Sequence, residues 1–316
     1  MAKRVLTIVL IATVAVFLTR FVASVVQIDS FAAQLNGSNS TELEKKHVIF
    51  IAQQYDNPFW KQMSQGAHDV AQQYNMEIQY VGPSTNNVQD QLKLLQKAIA
   101  SSPDAIIAQG VEEPEYIDLI ARASAKNIPV VTVDMDAPQS QRIAYIGTDH
   151  QLAGQQMAEL ILEQVDNKAQ IGVIIGSEQA SNQILRLEAF QERLAVQPFI
   201  NIVDIRSSNI SKLEAAKQTV EMMNTYPEIS IIVGFSGLDA IGIVEGLQSI
   251  EKNNVTVYGF DNLSTTKQLL SERLIQASIV QQPVEIGRQA IITLNEYFNH
   301  GDIQMKQYIT TTVVTN

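Results

Sequence analysis

Cysteine is absent from this chain of 316 residues, which excludes several classes of function at once. Without a thiol the protein forms no disulfide, no thiolate nucleophile, no zinc–thiolate centre and no lipid attachment through cysteine. The absence of cysteine is compatible with any cellular compartment, so the compartment has to be inferred from the N-terminal segment.

Positive charge and histidine are also scarce. The 22 Lys and Arg residues are outnumbered by 33 Asp and Glu residues, and the net charge of −11 opposes binding to a phosphate backbone. The four histidines, His47, His68, His150 and His300, are scattered without metal-ligand spacing. We therefore expect no metal, no cofactor and no nucleic-acid partner.

Catalytic motifs are incomplete or missing. Residues 234–238 resemble a nucleophile elbow around Ser236, but Leu238 stands where that motif needs glycine. Residues 172–177 do not match a dinucleotide fingerprint, and the sequence has no phosphate-binding loop. These observations predict a protein that is not an enzyme.

The sequence does contain the hydrophobic content of a folded protein, 46% against 17% charged residues, and enough length for two domains. From His47 onward, short β-rich runs alternate with helical periodicity, which predicts an α/β fold of parallel sheets with helices on both faces. The order of elements from His47 to about Gly147 recurs from about Ile171 to Val280. Two similar lobes with a cleft at their junction are expected, and the last helix and strand-like piece, Tyr308 to Val314, must return to complete them.

The N-terminus has the features of an export segment. Lys3 and Arg4 precede an uncharged run from Val5 to Thr19, and a second apolar stretch follows Arg20. This arrangement predicts a cytoplasmic N-terminus and an extracytoplasmic body. Residues 1–33 are then either an uncleaved membrane anchor, crossing the bilayer with residues 5–28, or a signal peptide that is removed. The polar residues 34–46 are predicted to be a linker.

Polar side chains follow the predicted strands at their carboxyl ends, where open α/β sheets expose their ligands. They are Asn57, Asp134, Ser236, Asp261 and Gln281, with Phe59 and Trp60 beside Asn57 and with Arg186 on a helix. A single Asp in this position often only caps a helix. Several together, with two aromatic rings, suit a sugar, because its C–H face packs on a ring and its hydroxyls need fixed donors and acceptors. The alternative for the first motif is that Asn57 and Pro58 only start a helix and that both rings belong to the core.

In their order and spacing these segments resemble the periplasmic-binding-protein type of sugar receptor, specifically its ribose/galactose-like group. The resemblance extends from about His47 to the C-terminus. It rests on five segments: Asn57-Pro58-Phe59-Trp60, Ile128-Pro129-Val130-Val131-Thr132-Val133-Asp134, Arg186-Leu187-Glu188-Ala189-Phe190, Tyr258-Gly259-Phe260-Asp261 and Ala277-Ser278-Ile279-Val280-Gln281.

The resemblance implies two Rossmann-like, doubly wound lobes joined by a three-crossover hinge near Gly147, Gln281 and Thr310. Residues 47–147 with 282–309 would form the N-terminal lobe, and residues 148–281 with 310–316 the C-terminal lobe. It also implies roles for the site residues. Asn57 would bind a sugar hydroxyl, Phe59 and Trp60 would bracket the ring, Asp134 and Asp261 would accept from hydroxyls, Arg186 would donate, and Gln281 would contribute from a crossover.

Two positions depart from the ribose-type pattern. Met135 stands where that pattern has arginine, and Ser236 stands where it has asparagine. Both changes remove hydrogen-bonding groups, which disfavours ribose itself as the ligand. Residues 53–55 and 112–113 lie near the predicted cleft and are candidates for replacement contacts, although surface exposure is the favoured interpretation of both segments.

These features predict an extracytoplasmic solute-binding protein, a monomer, that closes on a monosaccharide and delivers it to an ABC-type sugar importer. The alternative is a membrane-tethered sugar sensor that signals to a histidine kinase, and a sugar-active enzyme is a weaker one. The effector-binding half of a lactose-repressor-type transcription factor would share the fold. The export segment and the acidic charge disfavour that role.

Overall fold

The computed structural model describes residues 17, 19–24, 27, 45–165 and 168–315. The chain divides into two compact units, Met1–Lys45 and Lys46–Asn316. In the first unit the described residues up to 27 are helical. No helix within the described residues is long and apolar enough to cross a membrane, and the predicted membrane segment at 5–28 lies mostly outside those residues.

The second unit consists of strands and helices in alternation. Its strands are β1 Lys46–Ile51, β2 Met76–Val81, β3 Ala105–Gln109, β4 Val130–Val133, β5 Ala144–Thr148, β6 Ala169–Ile175, β7 Ile200–Ser207, β8 Ile231–Gly234, β9 Thr256–Phe260, β10 Ala277–Val280, β11 Lys306–Ile309 and β12 Thr312–Thr315. Its helices are α1 Pro58–Ala71, α2 Val88–Ala100, α3 Pro114–Ala125, α4 His150–Leu162, α5 Ser181–Leu194, α6 Lys212–Thr225, α7 Asp239–Ser249, α8 Ser264–Ser271 and α9 Pro283–His300, with a 3₁₀ turn at Gln72–Tyr74.

The strands form two six-stranded sheets, one in each lobe. The order is β11-β5-β4-β3-β1-β2 in the first sheet and β12-β10-β9-β8-β6-β7 in the second. All pairs are parallel except β10 with β12, which run antiparallel. The final strand-like piece predicted at 308–314 is therefore two strands, each of which completes a different sheet.

Each sheet is covered by helices on both faces because successive side chains of a strand point to opposite sides. In β1, Val48 and Phe50 pack under α1 and α9, while Ile49 and Ile51 pack under α2 and α3. The second sheet is arranged in the same way, with α4 and α5 on one face and α6, α7 and α8 on the other. This arrangement agrees with the α/β class predicted from the sequence.

Helices α1 and α9 approach each other closely through two glycines. A Cβ atom at Gly66 would lie 1.8 Å from the carbonyl oxygen of Val284, and one at Gly287 would lie 1.8 Å from that of Met63. Only glycine permits this contact, which holds α9 against α1 in the first lobe.

The chain passes between the two sheets three times. It leaves the first sheet after β5 at Thr148, returns after β10 at Val280, and crosses again between Ile309 and Thr312. The carboxyl ends of the parallel strands in both lobes meet at the junction beside these crossings.

Candidate functional site

A cavity of about 120 Å³ lies between the lobes at the carboxyl ends of the strands. All eight residues predicted from the sequence line this cavity: Asn57, Phe59, Trp60, Asp134, Arg186, Ser236, Asp261 and Gln281. The first four belong to one lobe, and Arg186, Ser236 and Asp261 belong to the other, with Gln281 at the second crossing.

Asn57 caps helix α1. Its Oδ1 accepts a hydrogen bond from the backbone N–H of Phe59 at 2.9 Å, which satisfies one of the free donors of the first helical turn. The group that Asn57 can offer to a ligand is therefore its Nδ2. Asp56, which directly precedes Asn57, forms an exposed ion pair with Lys61 at 2.8 Å.

The two aromatic rings of the first motif have different surroundings. Trp60 is only 1% exposed and belongs to the core of its lobe, where it meets Phe50 edge-on with ring centroids 6.3 Å apart. Phe59 is partly exposed. Because the rings of Phe59 and Trp60 contact each other at 6.0 Å and 83°, no sugar fits between them. The expected bracketing by this pair is wrong, and the core interpretation holds in large part for Trp60.

Asp134 and Asp261 occupy matching positions, each directly after a buried strand. Both have left-handed backbone conformations, with φ of 64° and 63°. Such a conformation costs a non-glycine residue of order 1–3 kcal/mol, and strain of this kind is concentrated at functional sites. For Asp134 it is supported by two donors to its carbonyl oxygen, the Tyr145 hydroxyl at 3.0 Å and His150 Nε2 at 3.0 Å.

His150 is accordingly a buried structural histidine. Burial is the main cause that lowers its pKa, to about 3, so the ring is neutral and Nε2 carries the proton that it donates.

The carboxylate of Asp134 accepts hydrogen bonds from both lobes. Gln109 Nε2 donates to Oδ2 at 2.8 Å, and Asn182 Nδ2 approaches the two oxygens at 3.4 and 3.5 Å. Burial raises the pKa of Asp134 to about 6, although Gln109 and the charge of Arg186 oppose the rise. Burial also raises the pKa of Asp261, which accepts from Gln281 Nε2 at 3.1 Å.

Arg186 is the cation of the site and is 2% exposed. Its guanidinium lies 4.1 Å from the centroid of the Phe260 ring, a favourable arrangement for a cation. Burial lowers its pKa, while the charges of Asp261 and Asp134 raise it. Its Nε and Nη1 atoms have no hydrogen-bond partner among the described residues, although unpaired buried donors of a charged group are costly.

Ser236 and Gln281 are the remaining polar residues of the predicted set that line the cavity. The Ser236 N–H donates to Oδ2 of Asp239 at 2.7 Å, and within the described ranges its hydroxyl is buried without a partner. Gln281 accepts from the Thr148 hydroxyl at 2.9 Å and donates to Asp261, so it links two of the crossings to the cleft.

Several lining residues were missed by the sequence reasoning. They are Pro58, Gln109, Ala180, Asn182, Gln183, Ile210, Phe235, Gly237, Leu238 and Leu263. Gln109 could have been predicted from the sequence, because it is the last residue of β3, just as Asp134 directly follows β4. Asn182 and Gln183 are one helical turn from Arg186, on the same face of α5. Ile210 could not have been predicted, because β-branched residues rarely adopt the left-handed backbone conformation that Ile210 has, with a φ of 56°.

Of the candidate replacement contacts, Gln53 lines the cleft, together with Met135, the residue that departs from the ribose-type pattern. Glu112 lies in a neighbouring cavity of about 270 Å³ beside Tyr145 and His150. Within the described residues no group of three or more His, Asp or Glu side chains could hold a metal ion.

Two α/β lobes, joined by three crossings and enclosing a polar cleft, define a solute receptor of the bilobal type. Residues 48–302 match the family model described as a periplasmic binding protein domain. The chain therefore belongs to the periplasmic binding protein family, whose members are solute receptors and not enzymes.

Two of the similar proteins are named for the sugars that they bind. GanP, a glucose-galactose binding protein from Geobacillus stearothermophilus, is 33% identical with a TM-score of 0.83, covering 86% of this chain and 98% of that one. XylFII in its complex with LytSN is 30% identical with a TM-score of 0.80 and the same coverage of 86% and 98%. The ribose import binding protein RbsB of Escherichia coli (strain K12) is 21% identical over 268 residues, 85% of this chain and 90% of that protein.

Proposed function

We propose that this protein is an extracytoplasmic receptor that binds a monosaccharide in the cleft between its lobes and closes on it. The eight lining residues predicted from the sequence are the proposed ligand-binding set. Residues 47–147 with 282–309 and residues 148–281 with 310–316 are the proposed lobes. Their hinge is the set of three crossings.

The observation that carries this proposal is the unmet hydrogen bonding of Arg186 and Ser236. Two guanidinium nitrogens and one hydroxyl are buried without a partner among the described residues, beside the carboxylates of Asp134 and Asp261. A ligand with several oxygens would accept from Arg186, while its hydroxyl protons would be donated to the carboxylates. A sugar supplies both kinds of group on one small ring.

The polar groups of the cleft also make closure depend on the ligand. Asp134 belongs to one lobe, and Arg186 and Asp261 belong to the other. A sugar that accepts from Arg186 and donates hydroxyl protons to both carboxylates would bind both lobes at once. It would shift the equilibrium towards the closed form, since a ligand stabilises the state that it binds more tightly.

Isothermal titration calorimetry after a thermal-shift screen of pentoses and hexoses tests the proposal. A sugar at about 100 times its Kd should add about 2.7 kcal/mol of stability. Asp134→Ala and Asp261→Ala should each weaken binding by about 2 kcal/mol or more, because they leave ligand hydroxyls and Arg186 unpaired. Unchanged affinity in both variants would remove the proposed site.

For the role in the cell we propose delivery of the sugar to an ABC-type importer by a monomeric receptor held at the outer face of the membrane by residues 5–28. The name of RbsB, an import binding protein, supports this role. A second candidate is a membrane-tethered sugar sensor that signals to a histidine kinase. It is favoured by the relative XylFII, which was solved in complex with a second protein, LytSN.

Deletion of the gene separates the two roles. Loss of a transport receptor should abolish uptake of the sugar even when the importer is expressed from an independent promoter. Loss of a sensor should leave that uptake intact and abolish only the induction by the sugar.

A further inference from the structure

Two buried glutamines form a chain of hydrogen bonds behind the carboxylate of Asp134. Gln109 donates from Nε2 to Oδ2 of Asp134 at 2.8 Å, and Gln91 of α2 donates from Nε2 to Oε1 of Gln109 at 3.4 Å. Both glutamine side chains are buried. Gln109 lines the cleft and Gln91 does not, so Gln91 can affect a bound ligand only through Gln109.

The direction of this chain is fixed by the chemistry of its members. Parallel pairing of β3 with β4 places Gln109 beside Val133, the residue before Asp134. An ionised carboxylate only accepts hydrogen bonds, so it requires the NH₂ end of the Gln109 amide. The oxygen of that amide then faces away from the carboxylate, and a buried oxygen needs a donor. Gln91 supplies this donor.

The orientation of the Gln109 amide matters because its two ends have nearly the same shape and opposite hydrogen-bonding character. A half turn about the last side-chain bond exchanges them at little steric cost. With its NH₂ group towards Asp134, the amide stabilises the carboxylate. With its oxygen towards Asp134, it would stabilise the protonated carboxyl, which can donate to it.

We infer that Gln91 is a positioning residue of the sugar site, which keeps the NH₂ group of Gln109 directed at Asp134 and so keeps that carboxylate available to sugar hydroxyls. The inference rests on the proposed function, in which Asp134 accepts from the ligand. Gln91 itself makes no contact with the sugar. Its effect passes through one amide and one carboxylate, over the two hydrogen bonds given above.

Asp134 is sensitive to such a donor because burial raises its pKa to about 6, and the hydrogen bond from Gln109 opposes that rise. Loss of this donor would raise the pKa further, so a larger fraction of Asp134 would be protonated in mildly acidic solution. Four other titratable or charged groups face Asp134 and are kept in every variant below: Arg186 of α5 and Asp261 after β9 at its carboxylate, and Tyr145 of β5 and His150 of α4 at its carbonyl oxygen.

The test is the pH profile of sugar affinity in Gln91→Met. Methionine is unbranched, similar in size and a good helix former, but it has no N–H donor. Calorimetry with the best sugar of the screen should show the midpoint of the profile raised by about 0.7 pH unit, as expected for one neutral hydrogen bond. Affinity should then fall about fivefold at about pH 5 and change less than about twofold at about pH 8, where Asp134 is ionised in both proteins.

A double-mutant cycle shows whether Gln91 acts through Gln109. Gln109→Met should raise the midpoint at least as much as Gln91→Met does. Adding Gln91→Met to Gln109→Met should cause no further rise, because the amide that Gln91 orients is gone. Gln96→Met is the matched control, since Gln96 lies on the same helix, is exposed and does not line the cleft. It should leave the profile unchanged.

Three results would overturn the inference. The first is a native pH profile in Gln91→Met. The second is a loss of affinity in that variant that is equal at about pH 5 and about pH 8, as a purely structural role would give. The third is a shift in the double variant equal to the sum of the two single shifts. In each case the proposed sugar site would stand, whereas a native protein that binds no sugar of the screen would reject the proposed function and the positioning role with it.

Discussion

Replacement of Arg186 by methionine should separate the ligand-binding role of this side chain from its role in the fold. Methionine fills similar volume and keeps contact with the Phe260 ring, but it has no charge and no donor. Arg186 is 2% exposed, so the whole guanidinium is removed from a desolvated site.

The size of the effect follows from the two nitrogens, Nε and Nη1, that have no partner among the described residues. A hydrogen bond that involves a charged group contributes about 1.5–3 kcal/mol. Loss of two such bonds to a ligand would cost about 3–6 kcal/mol, which corresponds to roughly 10²- to 10⁴-fold in Kd. The unliganded protein should still fold, because Asp134 and Asp261 lose a charge that lowers their pKa values and can respond by taking up protons.

Calorimetric titration of Arg186→Met with the best sugar from the screen measures this loss, with circular dichroism as the check on folding. Arg186→Lys is the matched control. It keeps the charge without the planar fork of donors and should bind with intermediate affinity. A folded Arg186→Met variant that binds the sugar within about threefold of the native protein would contradict the proposed ligand contact of Arg186.

Three further predictions concern pH, packing and the aromatic pair. Burial raises the pKa of Asp134 from 3.8 to about 6, so between these pH values the folded protein retains a proton that the unfolded chain releases. The free energy of unfolding should therefore decrease as the pH rises from about 4 to about 6. Sugar affinity should rise about tenfold from pH 5 to pH 7, as the carboxylate becomes able to accept from hydroxyls, and Asp134→Asn should flatten this dependence in calorimetry. Gly66→Ala should destabilise the protein by about 1–3 kcal/mol or more in urea unfolding, because its Cβ would collide with the backbone of Val284. Trp60→Ala should lose about 3–5 kcal/mol of stability as a core residue, whereas Phe59→Ala should mainly weaken sugar binding.

Each of these predictions has a contrary outcome. Equal affinity at pH 5 and pH 7 would show that Asp134 does not act as the acceptor in this range. A Gly66→Ala midpoint equal to that of the exposed control Gln65→Ala would contradict the close helix contact. A larger loss of stability for Phe59→Ala than for Trp60→Ala would reverse the roles assigned to the two rings.

The positions of the candidate site residues were predictable because they depend on a local rule. Asp134, Asp261 and Ser236 each follow a short apolar strand, and parallel strands present their carboxyl ends on one edge of the sheet. Gln281 follows the same rule at a crossing. A polar residue just after such a strand is therefore a candidate for the cleft, although not every residue in this position reaches it, as Ala52 after β1 shows.

The roles of Trp60 and Asn182 were not predictable in this way. Adjacent residues such as Phe59 and Trp60 point in different directions on α1, and only the packing of α1 against β1 decides which ring enters the core. Asn182 of the second lobe contacts Asp134 of the first lobe across the cleft, and the two residues are 48 positions apart in the sequence. A pattern within a short segment cannot predict a contact between residues so far apart in the sequence.

The α/β class, the two-lobed organisation and eight of the residues that line the cleft follow from the sequence alone, because strand and helix periodicity and strand-end position are properties of short segments. The other lining residues, the ring of the first motif that belongs to the core, and the donors of Arg186 that lack a partner among the described residues are set by the tertiary structure. They depend on distances between segments far apart in the chain, and those distances are set by how the two lobes pack and meet.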